Sequence, residues 1–382
     1  MEDLIFVSAQ PDIPYFHWQV ELYLYQFSKH NIRSKCYAVF GYIDKPSNYI
    51  LELAKRYNIA WYKDDRIDKT YIPSIRPHIL KKFFKDKPEL CKNVFYHDSD
   101  IFIVKMPKFE IMTENAGYLS DTISYIGYNY IESCSKRYKH KYPELPSNDL
   151  LTKMCQCIEI SEDLVKENEK NSGGAQYLLK NVNSNFWESV EKSSNKLYSM
   201  LNKYEKRYPI DHHIQSWTAD MWCVLWEYWK LGNKTIVHNE LDFSWAVDNI
   251  NSYNSKNIFH LAGVTANDSK TMFFKGDYTN RNPIEVYRSN RNVFDYISKT
   301  NATYEYINVI KEFVTGNVLK IPDGHWKGEY KLDDKIWRSI NGEYIMFWNS
   351  NSWIVTSSKY ESELSLTSGG YTSYASLNEF MC

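Results

Sequence analysis

The chain has 382 residues, 43% hydrophobic and 24% charged, enough to bury a sizeable core and to divide into two or three domains. Its 46 Lys and Arg against 47 Asp and Glu leave a net charge of −1. That argues against a protein that coats nucleic acid through a global basic field, but not against an enzyme that meets DNA through one local patch. Aromatic residues reach 16%, with 32 Tyr and 12 Trp, which serve as core filler or as stacking surfaces for sugars and bases.

The seven cysteines are scattered, and Cys155-x-Cys157 has no second pair at zinc-ligand spacing, so reduced thiols are expected. The acidic Met1-Glu2-Asp3 start and the short apolar run after it do not make a signal peptide. No segment approaches the ~20 apolar residues of a membrane span. The Asn-x-Ser/Thr triplets at Asn233, Asn267 and Asn301 then carry no glycan, and the expected setting is cytoplasmic, without a membrane partner.

In chain order, Leu4 to Ser8 predicts a buried first strand turning at Ala9-Gln10-Pro11. A helix follows over 20–28, a strand over 36–40 closed by Gly41, a helix over 48–56 and a strand over 60–62. A helix over 77–84 opens with Pro at a permitted first-turn position, and strands over 93–96 and 101–104 flank Asp98-Ser99-Asp100. Alternating strands and helices indicate an α/β fold with a mostly parallel, doubly wound sheet, in which ligands bind beyond the carboxyl ends of the strands.

The polar stretch 130–170, with Pro143 and Pro146, reads as an irregular excursion or lid. Gly173-Gly174 reads as the start of a helix through Lys180, and 214–231 as an aromatic helix. Residues 258–260 make a last short strand, and 283–314 a helical connector. From Pro322 the texture changes to short alternating runs broken by Asn341-Gly342 and Asn351-Ser352, the signature of consecutive β-hairpins. The expected domains are therefore 1–282, a connector 283–320, and a small all-β module 321–382.

Asp98 and Asp100 flank a small residue between two apolar strands, where a hard divalent cation bridging two phosphates finds oxygen ligands at a rigid edge. His260 ends an apolar run and supplies the imidazole of a mixed carboxylate/His site suited to Mn²⁺. Lys270 and Lys275 follow, and a Lys near a diphosphate neutralises the leaving group. Ser172-Gly173-Gly174-Ala175-Gln176 permits close backbone approach to a ligand. Asp220, set between Trp217 and Trp222, is a candidate general base for an acceptor hydroxyl.

The order Gln10…Tyr15-Phe16-His17-Trp18-Gln19, Asp98-Ser99-Asp100, Gly173-Gly174, Trp217-Thr-Ala-Asp220-Met and His260-Leu-Ala-Gly263 resembles GT-A glycosyltransferases over residues 4–280. It is similar to the hydroxyproline O-arabinosyltransferase and peptidyl-serine galactosyltransferase group. It is at least as similar to the viral and trypanosome glucosyltransferases of hydroxymethylated DNA bases, the base J type. The resemblance implies a GT-A fold, a UDP-sugar donor and Mn²⁺ or Mg²⁺ held by Asp100 and His260, with Asp98 on the metal or the ribose. It implies that Val7, Ala9 and Gln10 cradle the uridine and that Arg76 approaches the nucleotide. Gly173, Gly174 and Gln176 would face the donor sugar and Asp220 the reacting centre, with Gly263 and Lys275 as further donor-binding candidates.

The plant peptide enzymes carry a Glu near the position of Asp220 and are anchored in secretory membranes. The absence of an anchor here points to the intracellular viral type, with a 5-hydroxymethylpyrimidine in DNA as acceptor. The alternatives are an O-glycosyltransferase of protein side chains or glycans and, from another class, a non-catalytic carbohydrate-binding virion protein.

Overall fold

A computed structural model describes residues 3–316 with their side chains and, beyond them, the backbone of six strands lying between residues 318 and 374. Chain contacts divide the molecule into two compact units, Met1–Val286 with Asn292–Ile307, and Tyr287–Arg291 with Asn308–Cys382.

The first unit is built on a seven-stranded sheet. Its strands are β1 (Leu4–Pro11), β2 (Cys36–Tyr42), β3 (Asn58–Lys63), β4 (Asn93–His97), β6 (Ala116–Asp121), β7 (Gly173–Lys180) and β8 (Lys234–Val237). The order is β3-β2-β1-β4-β7-β6-β8. The first four are mutually parallel, β7 is antiparallel to both β4 and β6, and β8 is parallel to β6. A second, three-stranded sheet pairs β5 (Ile101–Ile103) with β10 (Ile258–His260) and β10 with β9 (Phe243–Trp245). The mixed α/β architecture expected from the sequence is thus the observed one.

Central strands read as apolar runs because helices cover both faces. Helices Ile75–Asp86, Ser184–Arg207 and Ala219–Lys230 pack on one side. Their fully buried Trp187, Trp222 and Trp226 each contribute roughly 1.5–3 kcal/mol of apolar burial. The first helix, Pro14–Ser28, begins earlier than its apolar periodicity suggests, because Pro fits the first turn, where no backbone N–H is needed.

Three expectations are corrected. Gly173–Lys180 is strand β7, not a helix. Its glycines are there for close packing: a Cβ on Gly173 would lie 2.3 Å from the Ser120 carbonyl oxygen, and one on Gly174 2.5 Å from the Tyr177 hydroxyl. The stretch 130–170 is not irregular but forms helices Tyr128–Lys141, Asp149–Ile158 and Glu162–Glu167, with Pro143 and Pro146 in the turn between the first two. Ile131, Cys134 and Tyr138, then Leu150, Leu151, Met154, Cys155 and Ile158, form the buried stripes at three- and four-residue spacing. The run 283–314 is helical only in part, over Pro283–Ser289 and Thr303–Thr315. Between them the backbone leaves the helix, and Asn301 bridges to Asn249.

Among the described residues the second unit contains six antiparallel strands, each paired with the next: β11 (Val318–Ile321), β12 (Gly328–Asp333), β13 (Ile336–Ser339), β14 (Tyr344–Trp348), β15 (Trp353–Ser357) and β16 (Thr372–Tyr374). The Asn341-Gly342 and Asn351-Ser352 turns lie outside the described residues. Among the described residues no helix is long and apolar enough to cross a membrane.

Candidate functional site

Asp98 and Asp100 follow the carboxyl end of β4, and Ala9 lies near that of β1. His97, the last residue of β4, anchors the turn: its Nδ1 lies 2.8 Å from the Asp98 carbonyl oxygen. Burial among Tyr23, Phe27 and Phe95 pushes its pKa down to about 4, so the ring is neutral there. After the turn the chain enters β5, which pairs antiparallel with β10 and sets His260 opposite Ile101. The Leu261 N–H donates to the Asp100 carbonyl at 2.9 Å. This pairing brings together side chains 160 residues apart in the chain.

Asp98, Asp100 and His260 offer ligand atoms all within 4.8 Å of one another. His260 Nε2 lies 3.2 Å from Asp100 Oδ1 and 3.6 Å from Asp98 Oδ2. The outer oxygen of each carboxylate meets a cation: Arg76 Nη1 at 2.5 Å from Asp98 Oδ1, and the Lys275 ammonium on Asp100 Oδ2. Burial raises the Asp100 pKa, but the Lys275 ammonium beside it outweighs burial and holds the carboxyl well below the usual range. Burial likewise lowers the Lys275 pKa, and Asp100 more than offsets it.

The far side of His260 is also held. Its Nδ1 lies 3.3 Å from Gln176 Nε2, Ser120 Oγ lies 2.7 Å from Gln176 Oε1, and the same Oγ lies 2.7 Å from the Leu241 carbonyl oxygen. One hydroxyl proton cannot serve two acceptors. Turning the Gln176 amide over resolves the conflict. Its NH₂ then donates to Ser120, Ser120 donates to Leu241, and the amide carbonyl accepts from His260 Nδ1–H. In that arrangement the Nε2 lone pair faces the two aspartates, as a metal-ligating histidine requires.

Asp98, Asp100 and His260 floor a cavity of about 630 Å³. Ala9, Tyr15, Gln19, Arg76, Ala175 and Met221 line it together with the acidic cluster. Tyr125, Trp217, Trp245, Gly263 and Lys275 complete much of its wall. Ala175 is left-handed at φ 66°, unusual for a residue with a Cβ, at the place where the β6–β7 register shifts. Gly263 at φ 92° is one a side chain would strain. The wall at Ile72 and Pro73 is fixed from behind. Arg66, paired with Asp64, donates through Nη1 to the Tyr71 and Ile72 carbonyls and to Ser74 Oγ.

Several expected contacts are not made. Val7 is enclosed within the sheet rather than on the cavity, because it sits mid-strand between Tyr37 and Tyr96. Gln10 is buried and donates to the Val39 carbonyl at 3.0 Å, which turns its side chain toward β2. Gly173 and Gly174 pack against neighbouring chain and do not line the cavity, and Lys270 is exposed and also outside it. Gln176 reaches His260 instead of the cavity.

Asp220 is buried beneath the cavity wall. Its Oδ2 lies 2.6 Å from Arg76 Nη2, and its Oδ1 accepts from the Tyr71 hydroxyl at 2.7 Å. The Tyr71 hydroxyl also lies 2.8 Å from the Trp217 carbonyl oxygen. Trp245 went unrecognised in the sequence: it stacks at 11° on His260, centroids 6.1 Å apart. It sits in a three-residue strand without a spacing signal. Tyr71 was equally silent.

No protein-family model and no curated protein matches the sequence. In fold the chain is similar to a solved structure of the bifunctional glycosyltransferase WbbM (11% identity, 80% of this chain, 51% of that one, TM-score 0.39). The chain thus spans about half the length of WbbM. It is also similar to the galactosyltransferase LgtC, solved with donor and acceptor sugar analogs (12% identity, 68% of this chain, 87% of that one, TM-score 0.35). Mouse xyloside xylosyltransferase 1 is a third (10% identity, 69% of this chain, 98% of that one, TM-score 0.34).

Proposed function

We propose that this chain is a metal-dependent glycosyltransferase that moves a sugar from a UDP-sugar to an acceptor hydroxyl, with a 5-hydroxymethylpyrimidine in DNA as the acceptor. The observation that carries the reading is the convergence of Asp98, Asp100 and His260 on the floor of one large cavity at the carboxyl end of parallel strands.

Two carboxylates and an imidazole fit Mn²⁺, with Mg²⁺ the harder alternative. A bound cation would supply charge stabilisation for the departing diphosphate. The chain's own groups divide the remaining work. Lys275 brings a second positive charge to the same floor, where a leaving diphosphate gains negative charge. Arg76, oriented by Asp220, fixes Asp98. Ala9 offers a flat wall at the end of β1 for the uracil ring, and Gly263 leaves room beside the phosphates. Trp217, 61% exposed at the rim, offers a face on which an extruded base can stack. Asp220, with Tyr71 and Arg76 beside its oxygens, would orient Arg76 or, as first expected, serve as general base for the acceptor hydroxyl.

The test is mass spectrometry of nucleosides from hydroxymethylated DNA incubated with the protein, Mn²⁺ and a panel of UDP-sugars, beside peptide and glycan acceptors. The proposal predicts a hexosyl or pentosyl adduct on the hydroxymethylpyrimidine. Adducts on peptide or glycan alone would move the acceptor to that class, and UDP-sugar left intact under all conditions would refute sugar transfer.

A further inference from the structure

The helices over 128–158 and 184–207 carry a surface with no part in the site described above. Ser133 to Tyr142 contains Lys136, Arg137, Lys139 and Lys141 and no acidic residue. One groove, of about 470 Å³, is lined by Lys136, Arg137, His140, Lys141 and His212, with Asp211 its one carboxylate. A second, of about 510 Å³, is lined by Lys153, Lys196, Lys203 and Arg207 beside Tyr204 and Tyr208, with no carboxylate. For a chain with a net charge of −1, this is a marked local excess of positive charge.

The two grooves flank one ridge. Tyr142 and Tyr208 are in edge contact at 5.2 Å, and both Lys141 and the Tyr142 hydroxyl donate to the Pro209 carbonyl, at 2.8 and 2.9 Å. Several of these cations are held by carbonyl oxygens rather than carboxylates. Arg137 donates through Nε to the His212 carbonyl at 3.0 Å, and Lys139 to those of Pro143 and Leu145. Lys136 and Lys153 do have acidic neighbours on their own helices, Glu132 and Asp149. The cations tethered to carbonyls are thus positioned while their charge stays uncompensated, as a phosphate-binding surface requires.

The surface also adjoins the cavity. His212 lines the first groove and Gln215 the cavity wall, three residues on and so at most about 10 Å away. The Gln215 N–H donates to the Tyr130 hydroxyl at 3.1 Å, tying the cavity rim to the helix that carries Lys136 and Arg137. At about 3.4 Å of rise per nucleotide, that separation is some three nucleotides.

We infer that these paired grooves bind the phosphate backbone of a nucleic acid whose target base lies at the cavity, an inference that rests on the acceptor reading above. A lipid surface fits poorly. Of the exposed large apolar side chains among the described residues, none lies on these three helices, and a membrane-lying helix needs an apolar face.

The experiment is fluorescence anisotropy of the full chain with labelled duplex and single-stranded DNA between 50 and 200 mM salt. Phosphate contacts by the five groove cations without an acidic neighbour on their own helix, Arg137, Lys141, Lys196, Lys203 and Arg207, predict a slope of about −4.5 for duplex, an affinity loss of roughly five hundredfold across that range. Combining Lys196→Gln, Lys203→Gln and Arg207→Gln reduces the slope by about 2.7. These positions lie outside the cavity, so binding of UDP with Mn²⁺ is expected to stay unchanged and reports that the variant is folded. DNA binding that is absent at 50 mM salt, or that the triple variant does not alter, overturns the inference. So does tighter binding to polyglutamate or to phosphatidylserine vesicles than to DNA. Loss of UDP binding in the unaltered chain would instead count against the donor site, whatever DNA does.

Discussion

Replacing Gln176 by Leu is expected to weaken cation binding without touching a ligand of the cation. The side chain is fully buried and bridges Ser120 and His260. Leu fills similar volume but cannot accept from His260 Nδ1–H, and Ser120 keeps its bond to Leu241. The imidazole then either leaves that N–H unpaired, at about 1–3 kcal/mol, or moves its proton to Nε2, which closes the ligand lone pair. Losing a partner of this kind typically lowers metal affinity 10–100-fold. Electron paramagnetic resonance of free Mn²⁺, titrated with protein and UDP, reads this directly. Gln176→Glu keeps an acceptor toward Nδ1 and is expected to retain affinity, though with a lower melting temperature from the buried charge. Mn²⁺ affinity of Gln176→Leu within twofold of the unaltered protein would refute the reasoning.

Gly173→Ala forces a Cβ to within 2.3 Å of the Ser120 carbonyl oxygen. Backbone must shift, so a loss of about 1–3 kcal/mol is expected in urea unfolding, and an unchanged midpoint would contradict the packing described. At Asp12, burial raises the carboxyl pKa, but hydrogen bonds from His17 and Ser47 outweigh it and the pKa is lowered. A carboxyl depressed on folding stabilises above its unfolded value near 3.9 and loses that contribution as pH falls through the folded one. Asp12→Asn should therefore melt lower at pH 7, with the difference from the unaltered protein shrinking below pH 4 in thermal scans. Burial pushes the Cys36 and Cys155 thiols up to about 12. Maleimide labelling at pH 7.5 followed by peptide mapping should find half-buried Cys91 modified well before either.

The sheet was legible because its strands are enclosed on both faces and so read as unbroken apolar runs, as at Val94-Phe95-Tyr96. The Asp98-Ser99-Asp100 turn was legible for the same reason, framed between β4 and β5. β7 was not, since Tyr177 to Leu179 is an apolar run too short for periodicity to assign to strand or helix, and two leading glycines suggested a turn. The helices over 128–167 were hidden by polar outer faces and two prolines, although Leu150, Met154 and Ile158 carried the four-residue spacing. The contacts that define the site's second layer join distant parts of the chain. Tyr71 with Asp220 spans 149 residues and Gln176 with His260 spans 84, and no local pattern encodes either pairing.

The central claim is that Asp98, Asp100 and His260 make a cation-dependent diphosphate site. Calorimetric titration of UDP into the protein, with and without Mn²⁺ and repeated with Asp100→Asn, tests it most directly. The account predicts binding that requires Mn²⁺ and falls at least a hundredfold in the variant. UDP binding that is equal without the cation, or undiminished in Asp100→Asn, would contradict it.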